Sequence, residues 1–308
     1  MSMPREVLPG TTHAISRRCL MRMFLLLPVE YVNSVFRYCL AYAATEFHVL
    51  IHAFEQMGNH FHLVLTDVDG CLPLFMERLD ALLARAINAH WGRRGAFFEP
   101  GSYSNVRIET PEDGLGQIVY ALTNPVKAAL VSHSRKWAGA SSLRWGYGQT
   151  RTFARPDGQF FGLESGMPTE VKLTLTPLSG FEHLSTEEFG ALVVERVRER
   201  ETELRAEHRA QGRSYAGMTQ VMRCKPTDTP RTFERWWKTN PRVAGKDPSV
   251  RVEGIAKLQE FRRRHRKAWL QWRDGDHTAV FPAGTWLMRV RHGANCEPRA
   301  DAAPVAPS

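Results

Sequence analysis

Met57-Gly58-Asn59-His60-Phe61-His62-Leu63-Val64-Leu65 is the stretch on which the reading of this chain turns. Gly58 and Asn59 are turn formers, and the residues after them are apolar and partly β-branched, the composition of a strand leaving a hairpin. Successive side chains of a strand point to opposite faces, so His60 and His62 share one face and Phe61 takes the other. Neutral imidazole is a common metal ligand, and two on one face of a sheet make a metal platform. Phe61 would then anchor the same strand in the core. A His-x-His pair standing alone is more often two surface histidines than a metal site, so the surrounding chain has to decide.

On the N-terminal side, His48 to Glu55 has the β-branched and aromatic make-up of the partner strand, with Met57-Gly58-Asn59 as the turn. Pro28 opens a helix over Val29 to Thr45, with Val32, Val35, Phe36, Cys39 and Leu40 along one face. Thr11 to Cys19 alternates and reads as a first strand. On the C-terminal side, Leu72 to Trp91 is an amphipathic helix closed by Gly92 to Gly95. Tyr103 to Glu109 reads as a last strand, and Pro111 to Val131 as a helix with a proline inside it. Strand, helix, hairpin, helix, strand, helix is the split βαβ order. It predicts an α+β, ferredoxin-like antiparallel sheet with helices on one face. The uncovered face is the natural place for a site.

The second half of the chain is less regular. Residues 146 to 185 are rich in Gly, Pro, Thr and Ser and read as irregular connection, with a short strand at Val171 to Leu175. Residues 186 to 294 form a basic, mainly helical region. It has helices over Thr186 to Ala210 and Val250 to Arg273, an aromatic insert at Phe233 and Trp236-Trp237, and a turn into a strand over Phe281 to Met288. Residues 295 to 308 are Pro/Ala-rich and read as a disordered tail. The expected division is residues 1–145 as one domain, then connection, basic region and tail.

Composition bounds the function classes. The 308 residues carry a net charge of +9 and a pI near 9.6, which suits a polyanionic partner. The five cysteines, Cys19, Cys39, Cys71, Cys224 and Cys296, form no C-x-x-C pair and suit a reducing cytoplasm. The apolar run Met23 to Val29 is too short to span a bilayer. Arg17-Arg18 before it is discounted as a twin-arginine signal, because Arg22 interrupts the apolar stretch. A cytoplasmic protein with no membrane partner is expected.

Downstream lies Tyr120-Ala121-Leu122-Thr123-Asn124-Pro125-Val126-Lys127-Ala128. Residues four apart share a helix face, so Tyr120 and Asn124 project together. Tyrosine offers a phenolic nucleophile, and asparagine offers a carbonyl oxygen for a hard cation. Two structural alternatives stand beside this. Asn124 before Pro125 has the pattern of an N-cap and N1 pair, and Tyr120 could be a packed aromatic with a satisfied hydroxyl.

The Asn59-His60-Phe61-His62 segment followed by Tyr120-x-x-x-Asn124-Pro125-Val126-Lys127-Ala128 resembles the REP-associated branch of the single-tyrosine HUH transposases. Members carry N-H-x-H and Y-x-x-x-N-P-V-[RK]-A in this order. Ser16-Arg17-Arg18, Trp137 and Ser141-Ser142 also sit where that family has like residues. The resemblance covers about residues 10 to 145. It implies that His60, His62 and Asn124 ligate Mg²⁺ or Mn²⁺ and that Tyr120 is the nucleophile. It further implies single-stranded DNA associated with a hairpin as substrate, a 5′-phosphotyrosine intermediate, and a monomer or homodimer. The imidazole ligands sit oddly with so hard a cation unless phosphate oxygens complete its shell. Arg17, Arg18, Arg93, Arg94 and Lys127 are candidate phosphate contacts, and the basic helix with Arg262, Arg263 and Arg264 is a candidate grip for a hairpin stem. That helix packing on its own domain through Leu258, Phe261 and Trp269 is the alternative. A non-catalytic nucleic-acid-binding regulator on the same fold is the competing function.

Overall fold

The structure is a computed structural model that describes residues 4–101, 103–162, 165–230, 232, 243–245 and 247–298. The first strand, β1, runs Thr11–Arg18 and is followed by α1, Glu30–Glu46. The hairpin is β2, Val49–Gln56, and β3, His60–Asp67. Then come α2, Leu72–His90, and β4, Ser104–Ile108. β1 lies between β3 and β4, β3 pairs with β2, and all three pairings are antiparallel. The ferredoxin-like order expected from the sequence is thus present. A two-residue strand, β7, Val243–Ala244, extends the sheet by pairing in parallel with β4, so the sheet is mixed.

Burial explains why these segments hold together. Phe61 on β3 meets Phe36 of α1 at 5.5 Å between ring centroids, and Phe36 meets Phe54 of β2. α2 lies beside α1 on this face, joined to it by an Arg78–Glu46 ion pair of 2.7 Å. Leu79, Leu83 and Ile87 of α2 are fully buried, as its apolar stripe predicts. The opposite face is not left bare. It carries α3, Pro111–Leu122, whose Tyr120 ring stands over His62. Helices therefore cover both faces, and the expected open face is instead roofed by the site's own helix.

The helix expected over Pro111 to Val131 is broken. α3 ends at Leu122, and a short α4, Asn124–Lys127, begins one residue later. Pro125 has no N–H to continue the ladder, and its ring disfavours a straight path through the preceding residue.

The stretch expected as irregular connection with one short strand at Val171 to Leu175 holds a hairpin: that strand is present as β6, Glu170–Thr174, and pairs with β5, Thr150–Ala154. Its inward residues Val171 and Leu173 join the main core together with Trp145, Tyr147 and Phe181. α5, Thr186–Ala210, starts on a capping box between Ser185 and Glu188 and adds Phe189, Val193 and Val197 to the same core. A short α6, Met218–Met222, follows. α7, Pro248–Arg273, packs Ala268 against Phe281 and Met288 in a small separate cluster. The strand expected after Phe281 is instead two isolated bridges, Phe281 with Cys296 and Thr285 with Glu6, and a short helix, α8, Leu287–His292. Residues 295–298, expected in a disordered tail, are held there by Phe281 N–H to the Asn295 carbonyl and Glu297 N–H to the Phe281 carbonyl. Phe233, Trp236-Trp237 and the rest of the tail lie outside the described residues.

Candidate metal centre and nucleophile

The hairpin turn sets the first histidine. The Asn59 side-chain N–H donates to the Arg22 carbonyl, so its oxygen must face the other way, and it meets His60 Nδ1 at 2.7 Å. A carbonyl-type oxygen can only accept, so Nδ1 carries the proton and the lone pair of the neutral ring sits on Nε2. This outer hydrogen bond orients a ring in the way that metal-bound histidines are usually oriented.

His62 lies one pleat further along β3, its ring centroid 4.8 Å from that of His60. It is buried, and its Nε2 has no hydrogen-bond partner. Burial, and after it the neighbouring His60, Lys127 and Arg18, hold the imidazole well below its usual protonation range. The ring is therefore neutral at physiological pH, with a buried nitrogen that meets nothing in the chain.

α3 brings in the phenol. Its N-terminus is fixed by Thr110, whose hydroxyl accepts from the Asp113 N–H. One turn from its far end, the Tyr120 ring stands edge-on to His62 at 5.6 Å. Tyr120 remains 42% exposed, so its hydroxyl side is open to a large substrate. The side-chain amide of Asn124 donates to the Tyr120 carbonyl at 2.9 Å. Thr123, not Asn124, occupies the cap position of α4. The capping alternative for Asn124 thus fails: its N–H is spent on the preceding turn, and its oxygen is the donor atom left for a ligand. Lys127 lies over the Tyr120 ring, its Nζ 4.3 Å from the centroid, a cation–π contact at the mouth of the site.

α5 braces α4 from behind. His208 Nε2 donates to the Val126 carbonyl at 2.9 Å, and Glu201 accepts from the Ser134 N–H at 2.6 Å. Sequence reading missed both; the only signal was a charged helix whose buried face contains polar residues.

The structure separates the paired arginines that the sequence treats alike. Arg18 stands opposite His60 in the β1–β3 register and is exposed on the histidine face. Arg17 points the other way, into the α2 side. There it binds Asp80 at 2.7 Å, donates to the Glu99 carbonyl and lies over the Phe98 ring. Arg17 is a structural residue, and its expected phosphate role is withdrawn, because alternation puts it on the core face. Among the α7 arginines, Arg263 pairs with Glu260 and Arg264 with Glu297, and Arg262 is half-buried. Arg266 and Lys267 are exposed beside them.

Glu55 was also missed. The register sets it directly opposite His62, and it is buried on the same face. The Ser141 hydroxyl donates to one of its oxygens at 2.6 Å, the other oxygen has no partner, and burial raises its carboxyl well above the usual range.

Two solved transposase structures match part of this chain. One is a REP-associated tyrosine transposase bound to a REP hairpin: 17% identity, TM-score 0.41, covering 47% of this chain and 84% of that one. The other is a candidate transposase from Deinococcus radiodurans: 22% identity, TM-score 0.30, covering 40% of this chain and 97% of that one. No family model and no curated protein matches the sequence. Among the described residues, no group of three or more His, Cys, Asp and Glu side chains is placed to hold a metal ion, and no helix is long and apolar enough to cross a membrane.

Proposed function

We propose that this chain is a metal-dependent DNA strand transferase. It cuts and rejoins single-stranded DNA at hairpin-associated sites through a 5′-phosphotyrosine. The observation that carries this reading is the meeting, within one chain, of the unpartnered His62 nitrogen and the half-open Tyr120 phenol. Its support from sequence is the order N-H-x-H then Y-x-x-x-N-P-V-K-A, which resembles the single-tyrosine transposases.

His60 and His62 would hold Mg²⁺ or Mn²⁺ through Nε2, and Asn124 through its side-chain oxygen. The donor set fits: one ring is oriented by Asn59, one nitrogen is buried without a partner, and one amide is turned by its bond to the Tyr120 carbonyl. When bound, the cation would polarise the scissile phosphate and offset charge gathering on its oxygens.

The remaining chemistry belongs to the chain. The Tyr120 oxygen attacks phosphorus, the bond from phosphorus to the 3′-oxygen breaks, and a 3′-hydroxyl leaves with a proton. The phenolic proton passes to solvent, which reaches Tyr120. A second strand's 3′-hydroxyl then attacks the phosphotyrosine and restores the phenol, so bonds are exchanged rather than hydrolysed. Lys127 and Arg18, both exposed at the mouth, bind and orient the phosphate backbone. Tyr120 would serve the histidines of its own chain, over one of which its ring stands, so that a monomer would suffice for the chemistry.

Incubation of the protein with single-stranded hairpin DNA and Mn²⁺, followed by denaturing electrophoresis, tests the reading. A protein–DNA adduct is expected for the wild type and none for Tyr120→Phe, which keeps the ring but loses the nucleophile. Tight binding of hairpins with no adduct under any divalent cation would favour the non-catalytic regulator.

A further inference from the structure

From Gly114 to Pro156 the sequence carries six Lys and Arg and no Asp or Glu, in a chain with 32 acidic residues. The first of the six is Lys127, at the mouth of the site. Elsewhere cations are matched. Arg196, Arg200 and Arg205 of α5 pair with glutamates, as do Arg263 and Arg264 of α7. Arg135, Lys136, Arg144 and Arg151 are exposed, and among the described residues none of them pairs with a carboxylate.

The fold gathers these four. The turn Ser134–Lys136 lies against α4, which ends on Lys127. The chain then docks along the outer edge of β2, with Gln56 N–H to the Ala140 carbonyl and Ser142 N–H to the Phe54 carbonyl. Gln56 is the last residue of β2, at the turn that leads to His60. Arg144 reaches back and donates to the Arg135 carbonyl. Arg151 donates to the Arg144 carbonyl at 3.1 Å, its guanidinium 4.7 Å over the Trp145 ring. Partial burial, and after it the charge of Arg37 on α1, lowers the Arg151 pKa from its usual range. Arg37 itself pairs with Glu30. Two carboxyls bonded to this segment, Glu55 and Glu201, are buried and spent on the Ser141 hydroxyl and the Ser134 N–H. Like charges held together repel, and a polyanion relieves the repulsion. A guanidinium with one N–H spent on a carbonyl keeps others for phosphate oxygens.

We infer that Arg135, Lys136, Arg144 and Arg151 form a second phosphate-binding surface, along the β2 edge, which takes the single strand flanking a hairpin as it leaves the histidine site. α7 lies at the other edge of the sheet, where Gly254 packs closely on Val243 of β7. The two basic surfaces bracket the histidines, and each takes a different part of the DNA. Contacts to phosphate position the strand and carry no sequence information. This inference deepens the function proposed above; it rests on DNA as the partner and not on the chemistry of Tyr120.

The test measures binding of the full-length protein by fluorescence anisotropy over a range of salt. One hairpin DNA is used bare, and again with single-stranded flanks of about 12 nucleotides at each end. The wild type should gain affinity from the flanks. Arg135→Gln, Lys136→Gln and Arg144→Gln combined should weaken binding of the flanked hairpin about 10-fold and flatten its dependence of log K on log salt by about 2 units. The same variant should bind the bare hairpin as the wild type does. Equal affinity of variant and wild type for the flanked hairpin would overturn the surface. An equal loss on both DNAs would overturn its assignment to the single strand. If the triple variant melts early, Lys136→Glu decides by the same comparison, because the Lys136 side chain makes no hydrogen bond or ion pair among the described residues. The Tyr120 adduct, followed on the flanked hairpin, keeps the two readings apart. Flank-dependent binding without an adduct would sink the strand-transfer chemistry and leave the surface standing. An adduct, with wild-type affinity in the variant, would do the reverse. No binding of either DNA by the wild type would overturn both.

Discussion

At the scale of the residue, alternation along a strand separates neighbours that composition cannot. Arg17 and Arg18 are adjacent and chemically identical, yet one is sealed against Asp80 and the other looks out beside His60. Removing one partner of a buried ion pair leaves an uncompensated charge. Arg17→Ala should therefore cost roughly 3–5 kcal/mol of stability, measured by urea unfolding. Arg18→Ala should leave stability nearly unchanged and weaken DNA binding. The reverse pattern would contradict the register. His52 makes a second case. It is fully buried, donates from Nδ1 to the Thr176 carbonyl and accepts at Nε2 from the Thr66 hydroxyl, and burial lowers its pKa to about 4. Between its ordinary value near 6.5 and about 4, the unfolded chain binds a proton that the fold refuses. Stability from this residue is complete above that window and is lost as pH falls through it. Measured against His52→Gln, the wild type should lose on the order of 3 kcal/mol between about pH 7 and about pH 4. A difference independent of pH would show that His52 accepts the proton in the fold. That His60, His62, Tyr120 and Lys127 lie side by side was legible because a motif names them in order. The places of Glu55 and Asn59 beside them were not legible, because they depend on cross-strand pairing and on which way an amide turns.

At the scale of the element, the six elements from β1 to β4 were readable from periodicity and turn residues, with boundaries that agree within about two residues, whereas α3 begins where expected and ends nine residues early. Three features escaped. β5, the partner of the expected strand β6, is short, with Phe153 its one large apolar residue, so it shows no alternation. The parallel addition of β7 rests on two residues, too few to leave a pattern. The break between α3 and α4 was marked by Pro125, but how the chain closes over it depends on His208 and Glu201 some eighty residues later. The docked segment beyond α4 offers a direct check. Gly139 fits where Trp137 Nε1 donates to the Gln56 carbonyl at 2.7 Å. A Cβ there would lie 2.3 Å from that nitrogen and 2.4 Å from that oxygen. Gly139→Ala should cost about 1–3 kcal/mol in denaturant unfolding, through a displaced edge of β2. An unchanged midpoint would mean that the segment is not seated as described.

At the scale of the whole molecule, charge and chemistry lie on separate elements. Much of the net charge of +9 comes from α7, in which eight residues are Lys or Arg and two are Glu. α7 keeps its own small cluster of Ala268, Phe281 and Met288, apart from the main core that carries the histidines. The alternative that this helix packs on its own neighbours is therefore correct for one face, and its exposed cations remain available on the other. Exposed ion pairs such as Arg263–Glu260 contribute little and exchange readily for phosphate. Replacing Arg263, Arg266 and Lys267 together by Ala should weaken hairpin binding and flatten the dependence of log K on log salt by about 2–3 units. Adduct formation at saturating DNA should be retained. An unaltered salt slope would remove α7 from the binding surface.

The placement of Tyr120 has a practical corollary. Of the seven tyrosines in the chain it alone is exposed, the others being half-buried or enclosed. A mild nitrating reagent would meet this ring first, and peptide mapping would return a single yellow fragment. The nitrated ring, more acidic and visibly coloured, would then serve as an optical gauge at the mouth of the site, reporting each ion or strand that arrives beside the histidines.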